Sequence, residues 1–262
     1  MDKKTQIIVL AAGYGSRISD VTALPKCLLE INGKSLLERQ LEIWKELSIK
    51  DVHLVLGYKK EEIERRVEKY KDFFNFTFSV NEDFRTKGNT FSLLLGLQNT
   101  LAINLDLDQL IFTDADIIYD PRIFSNFLND INSVNQILVG KGDINDQECA
   151  KVLIDSKGMV FKTIDKRSIT KEELTHHQFA GEAIGILKFN IKDGSANSLL
   201  DSCQQFLSLE GNILKNWEHL INFHLEKKPN FPLHISYLDD ELPWIEIDNQ
   251  EDYNAAKDLF RL

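Results

Sequence analysis

The chain opens with an unbroken apolar run, QIIVLAA at residues 6–12, of strand length and with no polar alternation, as expected of a strand covered on both faces. Between residues 35 and 47 the period changes, and Leu37, Leu41 and Trp44 recur at i, i+4 and i+7 to give a helix with one apolar stripe. DVHLVL at 51–56 predicts a second strand, and Ile63, Val67 and Tyr70 mark the apolar face of a helix over 59–70. The Glu61/Arg65 and Glu62/Arg66 pairs of that helix fall at i, i+4 and add minor support to its solvated face. FTFSV at 76–80 and QLIFTD at 109–114 predict further strands around a helix from about Thr90 to Leu101. Strand and helix thus alternate, which predicts a mostly parallel sheet with helices on both faces.

After about residue 135 the alternation stops. VLID, SKG and MVFKTI read as a hairpin turning near Gly158, and EAIGILKF at 182–189 as another strand. Helices are expected near 195–209 and 212–226. Pro229, Pro232 and Pro243 then interrupt the chain before a strand at 244–247 and a closing helix from about Gln250 to Leu262. No repeat, low-complexity segment or linker divides the sequence. We therefore expect one domain over 1–262, with 1–135 forming the sheet-and-helix half and 136–262 adding a smaller β-rich lobe.

Charge narrows the partners. Across 262 residues, 31 Lys and Arg stand against 41 Asp and Glu, a net charge of −10, and 43% of the chain is hydrophobic, enough for a real core. Acidity spread along the chain argues against nucleic acid, whose binding depends on Lys and Arg neutralising phosphates, so any anionic ligand requires a local basic pocket. Cys27, Cys149 and Cys203 lie far apart and form neither a disulfide framework nor a zinc site. No apolar run approaches the ~20 residues of a membrane helix, and the N-terminal run is too short for a signal peptide, so a soluble, cytoplasmic protein with no membrane partner is expected. The glycosylation sequon at Asn75 carries no weight in that setting.

The basic pocket has a clear candidate in LAAGYGSR at 10–17, followed by LPKCLLEING at 24–33. Glycines after a buried strand let backbone amides converge on an anion, as Leu10, Ala11, Ala12, Gly13, Gly15 and Ser16 are placed to do. Arg17 adds a planar set of donors suited to phosphate oxygens, and Lys26 a mobile point charge. The spacing is neither the dinucleotide GxGxxG nor the P-loop GxxxxGK[ST], and a glycine turn alone is often just a βα connection.

LAAGxGxR followed by PK resembles the signature of the nucleotidyltransferase superfamily, which includes sugar-1-phosphate nucleotidylyltransferases and LicC-like choline-phosphate cytidylyltransferases. The resemblance implies a three-layer, Rossmann-like α/β nucleotidyltransferase fold with a mixed, mostly parallel central sheet and a smaller β-rich acceptor-binding lobe. It implies a nucleoside triphosphate over the loop, bound by the first half, with Arg17 on the triphosphate and Lys26 near the α-phosphate as the catalytic pair. In FTDADIIY at 112–119, Asp114 and Asp116 end a strand predicted to be parallel, where open α/β sheets bind ligands. Asp116 matches the family's metal aspartate and is expected to hold Mg²⁺, which takes one or two protein carboxylates; Asp114 is expected to support the loop or the nucleotide. In PWIEIDNQEDY at 243–253, Glu246 and Asp248 share one face of a short strand, and Asp248 matches the second metal aspartate. Asp248 could instead serve only as the N-cap of the final helix.

FRTKGNTFSLLLGL at 84–97 resembles the base-reading loop of the cytidylyltransferase branch, which makes Asn81, Gly88, Asn89, Thr90 and Ser92 nucleotide-binding candidates; Thr90 or Ser92 could merely cap the helix. FKTIDKR at 161–167 puts Lys166 where the sugar-nucleotide branch has an acceptor-phosphate lysine, and Glu182 lies in a GExxG pattern similar to the cytidylyltransferases. A quaternary ammonium acceptor wants an aromatic face, for which Trp217, Tyr237 and Trp244 are candidates. A primary amine prefers carboxylates such as Glu182, Glu246 or Asp239. The implied reaction is Mg²⁺-dependent transfer of CMP from CTP to a small phosphorylated acceptor of the phosphocholine or 2-aminoethylphosphonate type, in decoration of cell-surface polysaccharide or lipid. Its partners are CTP or another NTP and that acceptor, with a homo-oligomer open. A phosphate monoester, with its second pKa near ~6, needs no general base as nucleophile. The alternatives are a sugar-1-phosphate nucleotidylyltransferase using UTP or dTTP, a GT-A glycosyltransferase, for which Asp114-Ala115-Asp116 supplies a DxD motif, or a noncatalytic nucleotide sensor. A glycosyltransferase has no use for GxGxR followed by PK, and a sensor none for all of Arg17, Lys26, Asp116 and Asp248.

Overall fold

A computed structural model describes residues 3–18, 22–102, 106–130 and 135–261. Its first half runs β1 (Thr5–Ala11), β2 (Glu30–Ile31), β3 (Lys34–Ser35), α1 (Leu36–Glu46), β4 (Asp51–Leu56), α2 (Lys60–Val67), β5 (Asn75–Val80), α3 (Asn89–Ala102), β6 (Gln109–Asp114), β7 (Ile117–Tyr119) and α4 (Pro121–Asn129). The second half runs β8 (Gln136–Gly140), β9 (Ala150–Ile154), β10 (Val160–Asp165), α5 (Lys171–His176), β11 (Gln178–Asn190), α6 (Ser195–Ser208), α7 (Trp217–Lys227), β12 (His234–Tyr237), β13 (Trp244–Glu246) and α8 (Gln250–Leu259).

The main sheet has the order β10-β9-β11-β6-β1-β4-β5, with β8 pairing β11 and β12. β6, β1, β4 and β5 are parallel, and every residue of β1 is buried, as an all-apolar central strand requires. β11 joins the halves: Ile186–Asn190 pair antiparallel with β6, whereas Gln178–Glu182 pair with β9. Register shifts near Gly181 and between Ala183 and Leu187 let this 13-residue strand bend from one neighbour to the next. The sheet is thus mixed, parallel across the first half and antiparallel where the second adds to it.

Helices cover both faces. Leu37, Leu41 and Trp44 of α1, Ile63 and Val67 of α2 and Phe124 and Phe127 of α4 build one core; Leu93 and Leu97 of α3, Cys203 of α6 and Trp217 and Ile221 of α7 build the other. A smaller cluster of Ile18, Leu29, Ile31, Leu36, Ile118, Ile247 and Ala256 lies apart. It packs the glycine-rich connection, the β7–β13 pair and α8 together, and so brings the C-terminal strand to the loop after β1. Among the described residues no helix is long and apolar enough to cross a membrane.

Several elements are absent from the reading of periodicity. Asp120 caps α4 and Pro121 opens it, while Ile123, Phe124 and Phe127 turn inward; this short helix carries too few turns to stand out from its neighbours. β7, β8 and β12 are strands of three to five residues, below the length at which alternation is visible. The second late helix begins at Trp217 rather than 212, because residues 212–216 form a turn ending in extended backbone at Asn216.

α1 starts in a capping box in which Ser35 and Glu38 exchange hydrogen bonds, and Glu38 also meets Arg66 at 2.8 Å and Lys69. Burial opposes the charge of Glu38, but Lys69, Ser35 and Arg66 outweigh it and bring its pKa down to about 2. Its folded pKa lies below the ordinary value, so this stabilisation is complete above the ordinary carboxylate range and disappears as pH falls toward 2. Glu38→Gln is expected to lose about 2 to 3 kcal/mol at pH 7. Denaturant unfolding at several pH values checks this: the gap to wild type should shrink from about pH 4.5 downward, and an equal gap at pH 7 and pH 2.5 would refute the ionic origin.

Candidate active site

The connection after β1 leaves the sheet at Ala12 and turns through Gly15, whose φ of +65° disfavours any residue with a side chain. Ile18 N–H donates to the Gly15 carbonyl at 3.0 Å and closes the turn, so Arg17 projects from a short helical turn anchored by buried Ile18. The Ser16 side chain lies outside what the structure describes. Pro25 precedes a second such turn, from which Lys26 reaches back across the cleft.

Lys26 Nζ donates to Asp116 Oδ2 and to Asp248 Oδ1, each at 2.6 Å. Arg17 donates to the other Asp248 oxygen at 2.6 Å and meets Glu148 at 3.5 Å. Asp116 sits between β6 and β7, and its carbonyl accepts from Ile247 N–H at 3.0 Å, which locks the two aspartate-bearing segments together. Oxygens of Asp116, Glu246 and Asp248 lie within 4.8 Å of one another. The helix cap is Asn249, which accepts from the amides of Glu251 and Asp252, so the Asp248 carboxylate is left to the cleft.

The charges respond to this crowding. Burial works against the Lys26 ammonium, but Asp116 and Asp248 overcome it and hold its pKa above the usual lysine value. Burial likewise works against ionised Asp248, and Lys26 and Arg17 hold its pKa below the usual carboxylate range. Glu246 faces the same carboxylates without a cation of its own. Restricted hydration between the cleft walls, and then Asp116 and Asp248, raise its pKa well above the ordinary value. Although its edge is solvent-accessible, the walls surrounding it count for more than that exposure.

Asp114 stands apart from this trio. Trp217 Nε1 donates to it at 3.1 Å, and its pKa is raised by burial first, then by Asp116 and Glu218. Gly185, at φ +76°, makes room for it: a Cβ there would lie 2.6 Å from Asp114 Oδ2. On the other wall, Asn81 is buried, donates to Ser92 Oγ at 3.1 Å and accepts from Asp83 N–H. Asn89 accepts from Trp217 N–H at 2.8 Å, and Gly88 N–H donates to Ile213 carbonyl, so the start of α7 is fastened to the start of α3.

These side chains surround one cleft of about 370 Å³. Leu10, Ala11, Ala12, Gly13, Gly15, Arg17, Lys26, Asn81, Gly88, Asn89, Ser92, Asp114, Asp116, Lys166, Trp217, Glu246 and Asp248 line it. Thr90, Glu182 and Trp244 do not. Thr90 is fully buried in α3; Trp244 packs against Gly140; Glu182 stands near Asp146 and Cys149, where burial and then Asp146 push its pKa up to about 7. Tyr237 and Asp239 line a separate surface groove. Trp217 is 1% exposed, so it serves the cleft through its indole N–H rather than an open ring face. Glu148, Asp165 and Glu218 also line the cleft, as do Phe84 and Lys87, and none of these was singled out by sequence. Glu148 follows an irregular stretch with no period to mark it, whereas Glu218, a buried acid directly after Trp217, could have been questioned as a charge on an otherwise apolar helix start.

The sequence family described as the MobA-like NTP transferase domain matches residues 7–161. The choline-phosphate cytidylyltransferase of Streptococcus pneumoniae is 29% identical over 240 residues, covering 80% of this chain and 98% of that protein. The CTP:phosphoglutamine cytidylyltransferase of Campylobacter jejuni is 25% identical over 191 residues, covering 70% and 72% respectively. In fold, the solved CTP:phosphocholine cytidylyltransferase from Streptococcus pneumoniae superposes with a TM-score of 0.75 at 20% identity, covering 98% of this chain and 100% of that one.

The Gly185 contact gives a structural test of the site. Gly185→Ala adds positive-φ strain of about 1 to 3 kcal/mol to a clash with Asp114, and a Tm lowered by about 4 °C or more is expected. A variant melting with wild type would show that Asp114 is not pinned there.

Proposed function

We propose, from the premise that this chain belongs to the family of MobA-like NTP transferase domains and is a nucleotidyltransferase, that it transfers CMP from CTP to a small phosphate- or phosphonate-bearing acceptor and releases pyrophosphate. The observation that carries this reading is the meeting of Lys26 with Asp116 and Asp248 beside the glycine-rich turn, in a cleft that also holds Asn81, Asn89 and Ser92. The cleft as a whole is not the basic pocket expected from the sequence, since acids outnumber Lys and Arg along its walls; an anionic nucleotide would rely on Arg17 and Lys26 beside the glycine-rich turn and on a cation held by the carboxylates. The choice of CTP follows the cytidylyltransferase relatives and the amides at 81 and 89, whose donors and acceptors suit a base edge.

An acceptor oxygen, already anionic at neutral pH, attacks the α-phosphorus; the new O–P bond forms as the bond to the β-phosphate oxygen breaks, and pyrophosphate carries away the electron pair. No side chain has to remove a proton. Lys26 and Arg17 orient the triphosphate and offset its charge, while Lys166 faces the acceptor's anionic end. The three carboxylates form a hard oxygen set that suits Mg²⁺, with Asp116 and Asp248 as holders and Glu246 close enough to join them. A magnesium ion held there supplies positive charge to the phosphate oxygens. Lys26 is fixed by the same aspartates, so removing either one also loosens the lysine.

Lys26→Ala is expected to cut turnover by roughly 10² or more with the fold intact by circular dichroism, and near-wild-type rates would remove it from the chemistry. Asp116→Asn and Asp248→Asn should each shift the Mg²⁺ titration of activity to higher concentration. A pyrophosphate-release panel crossing four NTPs with phosphocholine, 2-aminoethylphosphonate, polyol phosphates and hexose 1-phosphates tests the substrate pair; faster use of UTP or dTTP with hexose 1-phosphates would move the assignment to sugar-nucleotide synthesis.

A further inference from the structure

One buried carboxyl in the cleft is only half satisfied. Glu218, the second residue of α7, is 8% exposed, lines the cleft with Lys26 and Lys166, and leaves its Oε2 without a hydrogen bond. A buried carboxyl oxygen with its bond unmade is destabilising, and this one, unlike the unpaired polar atoms of the core such as Thr100 Oγ1, borders a cleft where a ligand can complete it. The protein around it offers no complement. Its acidic neighbour Asp165 is engaged with Asn216 at 3.4 Å and His219 at 3.6 Å, and among the described residues no cation pairs with Glu218 itself. Burial, then Asp165 and Glu246, push its pKa up to about 8, against a hydrogen bond from its own backbone N–H and a smaller pull from Lys166. An arriving cation with N–H groups would supply both the charge and the donor that the carboxyl lacks.

We infer that Glu218 is a specificity residue for the acceptor, receiving a hydrogen-bonding ammonium at the end away from the phosphate or phosphonate. The acceptor class is then a small aminoalkyl phosphate or phosphonate, its anionic end toward Lys166 and its ammonium on Glu218 with Asp165 alongside. This inference rests on the nucleotidyl-transfer reading above. A quaternary ammonium has no N–H to give Oε2 and relies instead on open aromatic faces. Trp217 and Phe84 are the aromatic residues lining the cleft. Trp217 is buried, with its N–H on Asp114 and its ring edge-on to Phe112, and Phe84 stands with Tyr58 and Arg85 beside the glycine-rich turn. Among the described residues no aromatic face opens beside Glu218.

The test is a pyrophosphate-release assay with CTP and phosphoethanolamine bearing zero, one, two or three N-methyl groups. With wild type, kcat/KM should fall most at the last methyl, where the final N–H disappears, leaving phosphocholine roughly tenfold or more behind phosphoethanolamine. Glu218→Gln should narrow that ratio to within about threefold, chiefly by raising KM for phosphoethanolamine while KM for CTP holds. A flat methylation series, a preference for phosphocholine, or a ratio unchanged in Glu218→Gln overturns the role of Glu218 while leaving cytidylyl transfer standing. Turnover of hexose 1-phosphates with none of the amines overturns the inference and the proposed acceptor together.

Discussion

The ammonium of Lys26, held at 2.6 Å by both Asp116 and Asp248, is the interaction on which the site depends. Its three members come from the connection after β1, the end of β6 and the segment after β13, and no two are local in sequence. A partly buried lysine is tolerable only because two carboxylates face it, and those carboxylates are tolerable at close range only because the lysine stands between them. Removing one member therefore leaves the others worse off than solvated surface charges would be. The geometry is enforced from beneath by a small apolar cluster in which Ile18 adjoins Arg17, Ile118 lies just beyond Asp116, and Ile247 separates Glu246 from Asp248. Hydrophobic packing, non-directional in itself, becomes directional here because Ile18 and Ile247 sit directly beside charged residues along the backbone and Ile118 two residues after one.

Charge in the cleft is arranged by position rather than by total. Near the glycine-rich turn, Arg17 and Lys26 face Asp116 and Asp248, and the two cations hold the pKa of Asp248 below the usual carboxylate range. Asp114, Glu218 and Glu246, the last within 4.8 Å of Asp116 and Asp248, lack such salt bridges, and burial with repulsion from neighbouring acids pushes the pKa of each upward. One cleft thus sets its two paired cations at the glycine-rich turn and its unpaired carboxyls elsewhere along the same walls.

The order of the first-half strands and helices was legible because each long element carries its own period: β1 and β6 as continuous apolar runs, α1 as a stripe of Leu37, Leu41 and Trp44. Short elements were less so: a strand was expected at 244–247, where β13 forms, but none at β7, β8 or β12. β7 and β13 hold the site's acids at their ends, yet at three residues each they exist only through pairing with each other. The bend of β11, and with it the placing of Gly185 against Asp114, follows from register shifts with two neighbours, β8 and β9, which no local pattern encodes.

Sequence alone determined the chemistry available: a glycine turn after a buried strand, an Arg and a Lys at close spacing, and acids at strand ends, because residue type and local period are properties of the chain itself. It left Asp248 divided between cap and cleft, and gave Glu246 to the acceptor. In the folded chain Asn249 caps α8, and the Glu246 carboxylate stands among those of Asp116 and Asp248. Tertiary structure also turned Trp217 from a ring face into a buried hydrogen-bond donor and brought Glu218 into the cleft with its Oε2 unpaired. Burial, proximity and pairing depend on contacts between segments distant along the chain, so they arise only when the fold closes.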